Sequence, residues 1–199
     1  MQYCRTRDGS PNVLLSVLLA RAARRLDPES EKTVTVSVCV NHKAMLGVPP
    51  NYRMFVGEAV LDFPKAREEE DLTKACTLAH GQLILQAQPE NSLWDIRQMK
   101  RMLPPPSPDV AQGSICVSYV NNRSFGPLDP YIEEEYVITS LSKITDLLCM
   151  ISCVNHSFFL ALLQPFASGK YFKCLLEELD RAGIRCEVLH REPLRLSGV

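Results

Sequence analysis

A long apolar stretch, from Ile144 to Ser168, carries a single charge, on Asp146. Its length alone would let a helix cross a membrane. However, the polar pair Asn155-His156 lies in its middle, and Gln164-Pro165 breaks its far end. Two strands joined by an Asn-His turn explain these polar residues, which would be costly on a helix that faces lipid. We therefore predict a strand pair here and no membrane span.

The rest of the chain alternates helical patterns with strand patterns. Ser10-Pro11 is a typical helix start, and Val34 to Val40 places a valine at every second position, as in a half-buried strand. We predict helices over residues 10–26, 72–83 and 92–103. A further helix should follow the cap residue Ser168 and end at Gly183. We predict strands over 33–40, 52–63, 114–120, 136–140, 148–154, 158–164 and 185–189. Strands mixed with helices in this order predict a two-layer α/β sandwich.

The composition is that of an ordinary globular protein. The 199 residues are 46% hydrophobic and 23% charged, with a formal net charge of −1. A chain of this length fits one domain, which we take as residues 1–199 with an internal proline-rich linker at 104–108. The near-neutral charge argues against a nucleic-acid partner. The apolar run Val13 to Ala20 is followed at once by arginines rather than by a cleavage site, so we expect no signal peptide and a cytoplasmic location.

The eight cysteines are scattered and form no C-x-x-C motif, so we expect reduced thiols and no metal site. Cys39 and Cys153 are the cysteines nearest in sequence to a histidine. We interpret both as thiols inside strands, protonated and inert because they are buried. We interpret all four histidines of the chain as structural or solvated residues.

The order of these elements resembles the C-terminal half of the chloramphenicol-acetyltransferase-like superfamily of CoA-dependent acyltransferases. The likeness is to stand-alone condensation-type and alcohol-acetyltransferase-like proteins of bacteria. The strand that ends in Asn41-His42-Lys43 resembles the family's Asn-x-Arg element, with lysine at the basic position. Gly57-Glu58 stands where the family has Gly-Asn, and Ser118-Tyr119-Val120-Asn121 resembles its Ser-x-x-Asn element. The resemblance implies one lobe of that fold, with a mixed sheet packed by helices.

The same resemblance implies roles for particular residues. Asn41, Lys43 and Gly57 correspond to the family's structural motif. Ser118, Tyr119 and Asn121 are candidates for the substrate tunnel, where a hydroxyl and a carboxamide can hydrogen-bond an acyl carbonyl or a pantetheine arm. The alternative for Ser118 and Asn121, of equal weight, is that they satisfy backbone groups in the turn at Asn121-Asn122.

The family's catalytic motif, His-His-x-x-x-Asp-Gly, is absent from the sequence. None of the four histidines, His42, His80, His156 and His190, has an aspartate four residues later. The resemblance therefore implies the C-terminal portion of an acyltransferase that moves an acyl group from a CoA or carrier-protein thioester to a hydroxyl or amine, inactive alone. No tightly bound cofactor is expected, and acyl-CoA or acyl-pantetheine would be the co-substrate.

These expectations imply two kinds of partner. One is a companion N-terminal lobe that carries the histidine motif, in which case the chain is a truncated part of an enzyme. The other is a second copy, bound through an exposed apolar face. The second case corresponds to an alternative function, a non-catalytic interaction or dimerisation module derived from the same fold.

Overall fold

The computed structural model describes residues 10–42, 47, 56–88, 90–91, 115–120, 126–139, 145–154 and 157–189. The helices and strands within these ranges, in chain order, are α1 (Pro11–Leu26), β1 (Val34–Asn41), β2 (Val56–Phe63), α2 (Leu72–Gln86), β3 (Ile115–Tyr119), β4 (Leu147–Val154), β5 (Ser157–Leu163) and α3 (Lys170–Arg181). Short 3-10 turns occupy Lys65–Arg67 and Gly126–Tyr131.

The five strands form one mixed sheet in the order β2-β1-β3-β4-β5. The three central strands, β1, β3 and β4, run parallel to one another. The two outer strands, β2 and β5, are antiparallel to their neighbours. The long apolar stretch thus supplies the β4–β5 hairpin, as predicted, while the turn Asn155-His156 lies outside the described residues. No helix in the described parts of the chain is long and apolar enough to cross a membrane.

Helix α1 lies at the centre of the buried layer. Its N-terminus is capped by Ser10, whose Oγ accepts a hydrogen bond from Val13 N at 3.3 Å. Its apolar side chains pack on the alternate residues of the central strands, including Val36, Val38 and Val117, which are almost fully buried. Burial of this surface is the main stabilising contribution to the fold. The helices α2 and α3 pack beside α1, which confirms a two-layer α/β architecture.

Helix α3 ends as predicted and begins one residue later than predicted. Gly183 has φ of 72°, and Ile184 N donates to Leu179 O at 2.9 Å, a typical glycine-terminated helix end. At the other end the cap residue is Gly169, not Ser168. The Ser168 hydroxyl instead accepts from Lys170 N at 3.4 Å, because it stands one residue too early to reach the interior of the first turn.

Two predicted strands do not form within the described residues. Residues 132–139 and 184–189 make no ladder with the sheet. The first of these segments instead crosses a sheet face: Ser152 Oγ donates to Glu135 O, and the Tyr136 and Phe159 rings lie 5.3 Å apart. Because β4 already has β3 and β5 on its two edges, it offers no free edge for another strand. The predicted helix at 92–103 and the linker at 104–108 lie outside the described residues.

Candidate functional site

The sheet has one face covered by helices and one that is partly open. Because side chains alternate along a strand, Val38 and Val117 point to the helices, whereas Cys39, Cys116 and Ser118 point the other way. We call this second surface the open face. The segment 132–139 covers it beside β4 and β5 through its contacts with Ser152 and Phe159.

The tunnel candidates Ser118 and Tyr119 lie on opposite faces of the sheet. Ser118 is on the open face, half-buried, at the carboxyl-terminal end of β3. Tyr119 points to the helix side, where its ring lies 6.2 Å from that of Phe158 and packs against the core. The third candidate, Asn121, lies outside the described residues. The alternation therefore separates two residues that the sequence placed in one element.

Gly57 and Asn41 lie on neighbouring strands at the end of β1. Asn41 is exposed and pairs with Val56, while Gly57 is buried and pairs with Val40. Lys43, the remaining residue of the predicted structural motif, lies outside the described residues. Asn41 and Gly57 therefore lie at the edge of the sheet where the carboxyl ends of β1, β3 and β4 meet.

His42 lies immediately after β1 and is only 1% exposed. Its imidazole fills the space beside Gly57, since a Cβ atom added to that glycine would overlap His42 Nε2 and lie 3.0 Å from Cδ2. The ring therefore fits only because residue 57 has no side chain. This contact gives Gly57 a local packing role, which the sequence resemblance alone did not explain.

A pair of thiols lies on the open face next to Ser118. The Sγ atoms of Cys39 and Cys116 are 3.9 Å apart, within hydrogen-bond distance for sulfur. Hydrogen bonding with Cys116, and to a smaller extent with Ser118, lowers the pKa of Cys39 to about 7, although partial burial and the Glu58 carboxylate oppose the shift. The same hydrogen bond, with burial, raises the pKa of Cys116.

The prediction that Cys39 is a buried core thiol is wrong, because the residue is only half-buried. Its position between two valines shows that its side chain lies on the opposite face of the strand from theirs. That face is not covered by helices and is partly open. Cys153 agrees better with the prediction, because it is buried and burial raises its pKa. Burial likewise raises the pKa of Cys149 to about 12.

Two depressions lie on the helix side, away from the thiol pair. A groove of about 390 Å³ between α1, α3 and the start of α2 is lined by charged side chains of both signs. Its cations are already engaged: Arg25 pairs with Glu177 and Glu178, and Arg181 Nη1 lies 2.9 Å from Glu178 Oε1. A smaller cavity of about 50 Å³ lies between α1, β2 and α2. Within the described ranges no three potential metal ligands cluster together.

Comparison with known proteins gives different results for the sequence and for the structure of this chain. No protein-family profile matches the chain, and no curated protein matches it in sequence. Solved structures do match it. Polyketide synthase associated protein 5 from Mycobacterium tuberculosis aligns with a TM-score of 0.62 at 14% identity, over 90% of this chain and 46% of its own.

Two further structures give the same result. The PapA2 acyl transferase aligns with a TM-score of 0.56 at 16% identity, over 90% of this chain and 40% of its own. The epimerization domain of the third module of tyrocidine synthetase B aligns with a TM-score of 0.56 at 13% identity, over 90% and 42%. The chain has the fold of one lobe of a chloramphenicol-acetyltransferase-like acyltransferase. It spans less than half the length of the solved chains that it matches.

The structure places Ser118 on the open face beside Cys39 and Cys116, and it places Tyr119 on the opposite face. The sequence alone did not give the register of β1 against β3. In the structure Ser37 pairs with Cys116, so the two cysteines lie close together on adjacent strands. The only sequence signal was that both cysteines occupy the less apolar positions of alternating strands.

Proposed function

We propose that this chain is the C-terminal lobe of an acyltransferase that transfers an acyl group from a CoA or carrier-protein thioester to a hydroxyl or amine. The observation that carries the proposal is the structural match, which covers 90% of this chain and 40–46% of acyltransferase-type structures. The lobe contributes binding surface to the acyl-transfer site, and the general base comes from a companion lobe.

The absence of the histidine motif supports the second part of this proposal. An acceptor hydroxyl must lose its proton as it attacks the thioester, and histidine is the usual group that accepts it. His42 is 1% exposed and packed against Gly57, so an acceptor could not reach it without displacing the end of β2. The half-buried Ser118 hydroxyl at the end of β3 would give up its hydrogen bond with Cys39 to donate to the acyl carbonyl.

The chain alone should bind an acyl thioester weakly and should not turn it over. Calorimetric titration with a non-hydrolysable acyl-CoA analogue measures the first, and release of free CoA in the presence of an alcohol acceptor measures the second. Ser118→Ala should weaken binding, whereas Thr77→Ala, an exposed change on α2 whose hydroxyl donates to Thr73 O, should not. Steady turnover by this chain alone would contradict the need for a companion lobe.

A specific observation also favours the non-catalytic alternative. Several large apolar side chains of the segment 126–139 are exposed, among them Tyr131 at 81% and Ile138 at 64%. Such residues are typical of a surface that binds another protein. A dimer detected by sedimentation, together with no binding of the analogue, would favour an interaction module over an acyltransferase lobe.

A further inference from the structure

Two thiols of the open face lie in contact across neighbouring strands. Cys39 of β1 and Cys116 of β3 are both half-buried, with their sulfur atoms 3.9 Å apart. Cys76, Cys149 and Cys153, by contrast, are buried. Among the described cysteines, the thiol pair thus combines two features that a shared ligand requires, adjacent sulfur atoms and partial access from solvent.

The strand register argues against a direct bond between the two sulfurs. Cys116 pairs with Ser37, so Cys39 lies two residues further along β1 than the residue opposite Cys116. Neighbouring strands lie about 4.8 Å apart and rise about 3.3 Å per residue, so Cα atoms with this offset are about 8 Å apart. Disulfides require Cα atoms about 4.4–6.8 Å apart. The geometry therefore favours an atom held between the sulfurs over a bond that joins them.

The separation of the sulfurs fits a tetrahedral metal ion. Zn²⁺ binds thiolates at about 2.3 Å with tetrahedral angles, which places two sulfur ligands of one ion about 3.8 Å apart. The observed separation is 3.9 Å, so both sulfurs can coordinate one ion with little movement of either strand. Thiolates also select soft ions such as Zn²⁺ over Mg²⁺ and Ca²⁺, which prefer oxygen ligands. Spacing and ligand chemistry thus indicate the same class of ion.

A carboxylate on the adjacent strand adds negative charge beside the thiol pair. Glu58 of β2 pairs with Cys39 in the antiparallel ladder, so its side chain also lies on the open face. Its charge disfavours a free thiolate at either sulfur. A bound cation reverses this effect, because it attracts the carboxylate and holds its thiol ligands deprotonated. Glu58 therefore favours thiolates that are bound to a cation over thiolates that are free.

We propose that Cys39 and Cys116 form a two-thiolate binding site for Zn²⁺, with Glu58 beside it. On binding, each thiol loses its proton to water and no electron is transferred. Within the described residues no third metal-binding side chain joins the pair, so Glu58 contributes charge rather than a ligand atom and water takes the remaining positions. The inference goes beyond the proposed function and does not depend on it, because binding needs no acyl donor and no companion lobe.

The first test titrates the reduced, metal-free full chain with Zn²⁺ alone. Calorimetry measures stoichiometry and affinity, and Cd²⁺ in place of Zn²⁺ reports thiolate coordination through ultraviolet charge-transfer absorption. Mass spectrometry of alkylated peptides locates the ligands. We expect saturating Zn²⁺ to protect Cys39 and Cys116 together from alkylation, whereas the exposed Cys186 should still react. Absence of binding, or unchanged alkylation of the pair under saturating Zn²⁺, would overturn the proposal.

Substitutions of the two cysteines test whether they hold the ion together. Cys39→Ser and Cys116→Ser each remove one ligand, and each should weaken Zn²⁺ binding by at least about tenfold, since loss of even an outer-shell partner costs that much. Cys186→Ser is the control, because this exposed thiol lies in the segment after α3, and it should leave the affinity unchanged. A loss in only one of the two pair variants would contradict an ion shared between the sulfurs.

The carboxylate is tested with a substitution that leaves both thiols in place. Glu58→Gln should weaken Zn²⁺ binding by about 1.5-fold to 5-fold, since Glu58 is exposed, and the loss should shrink at high salt. Asp62→Asn on the same strand is the control, because Asp62 pairs with Thr35 and not with Cys39. Equal effects of the two changes would contradict the placement of the ion beside Glu58.

The alkylation experiment keeps the proposal testable if a cysteine variant does not fold. Thermal unfolding identifies such a variant, and protection of the thiol pair in the unmodified chain then decides. Joint protection of Cys39 and Cys116 supports the shared site, whereas protection of other cysteines alone overturns it.

Discussion

At the scale of single residues, two side chains owe their properties to neighbours that are distant in sequence. His42 is buried because Gly57, on the adjacent strand, leaves room for its ring. Cys39 has a lowered pKa because its sulfur forms a hydrogen bond with Cys116, 77 positions later in the chain. In both cases the residue type was visible in the sequence, but its chemistry depended on a strand pairing. Packing space and hydrogen bonds, not residue identity, determine these roles.

Replacing Gly57 tests the first of these contacts. Gly57→Ala should lower the free energy of unfolding by about 1–3 kcal/mol, because the new Cβ atom overlaps the His42 ring in a packed interior. Denaturant unfolding measures the change. The matched control is Gly81→Ala in α2, where an added Cβ meets nothing within 4 Å and should stabilise the helix by about 0.5–1 kcal/mol. Equal effects of the two substitutions would refute the packing role of Gly57.

At the scale of secondary-structure elements, α2 protects the edge of the sheet. The side-chain amides of Gln82 and Gln86, one helical turn apart, each form two hydrogen bonds with the backbone of β2. Gln86 bonds both N and O of Val60, at 2.7 and 2.5 Å, and Gln82 bonds those of Asp62, at 2.8 and 3.1 Å. These amides occupy backbone groups that a further strand would otherwise pair with. The helix thereby blocks association through this edge.

The double substitution Gln82→Ala, Gln86→Ala should expose that edge. We expect the protein to self-associate at lower concentration, since the freed N–H and C=O groups of Val60 and Asp62 can pair with another strand. Sedimentation velocity over a concentration series measures the change. Gln88→Ala is the control, because the Gln88 amide donates to Ile84 O and, among the described residues, bonds no backbone group of β2. An unchanged monomer fraction in the double variant would show that the freed edge of β2 does not pair with another strand.

At the scale of the whole molecule, α1 and α3 join the two ends of the described chain. Tyr171 of α3 donates to Leu19 O of α1 at 2.8 Å within the core. Glu178 is 4% exposed and lies between Arg25 of α1 and Arg181 of its own helix. These contacts close the helical layer over the sheet, so the C-terminal helix stabilises the N-terminal one.

Removing the buried carboxylate charge of Glu178 should weaken the contact between α1 and α3. Glu178→Gln leaves Arg25 and Arg181 without their shared partner, and we expect a loss of about 1–3 kcal/mol in the free energy of unfolding. Glu177→Gln is the matched control: its carboxylate also pairs with Arg25 but is 40% exposed, so the cost should be about 0–1 kcal/mol. Thermal and denaturant unfolding would measure both. A larger loss in Glu177→Gln would contradict the assignment of Glu178 as the central acid.

Local patterns in the sequence determined the elements with strong periodicity. The valine alternation predicts β1, the Ser10 cap and leucine face predict α1, and the apolar run interrupted at Asn155-His156 predicts the β4–β5 hairpin. The strands predicted at 136–140 and 185–189 do not form within the described residues, and the first segment instead packs on Ser152 and Phe159 of the sheet. Short extended segments carry no local signal that distinguishes these cases.

The sequence by itself determined the fold class and the absence of the histidine motif, since both depend on residue order and local periodicity. Only the tertiary structure decided which residues share a site. It separated Ser118 from Tyr119 by alternation across the sheet, and it brought Cys39, Cys116 and Ser118 together through the register of β1 with β3. Register depends on long-range pairing, and a strand pattern with a period of two specifies faces without specifying which neighbour each face meets.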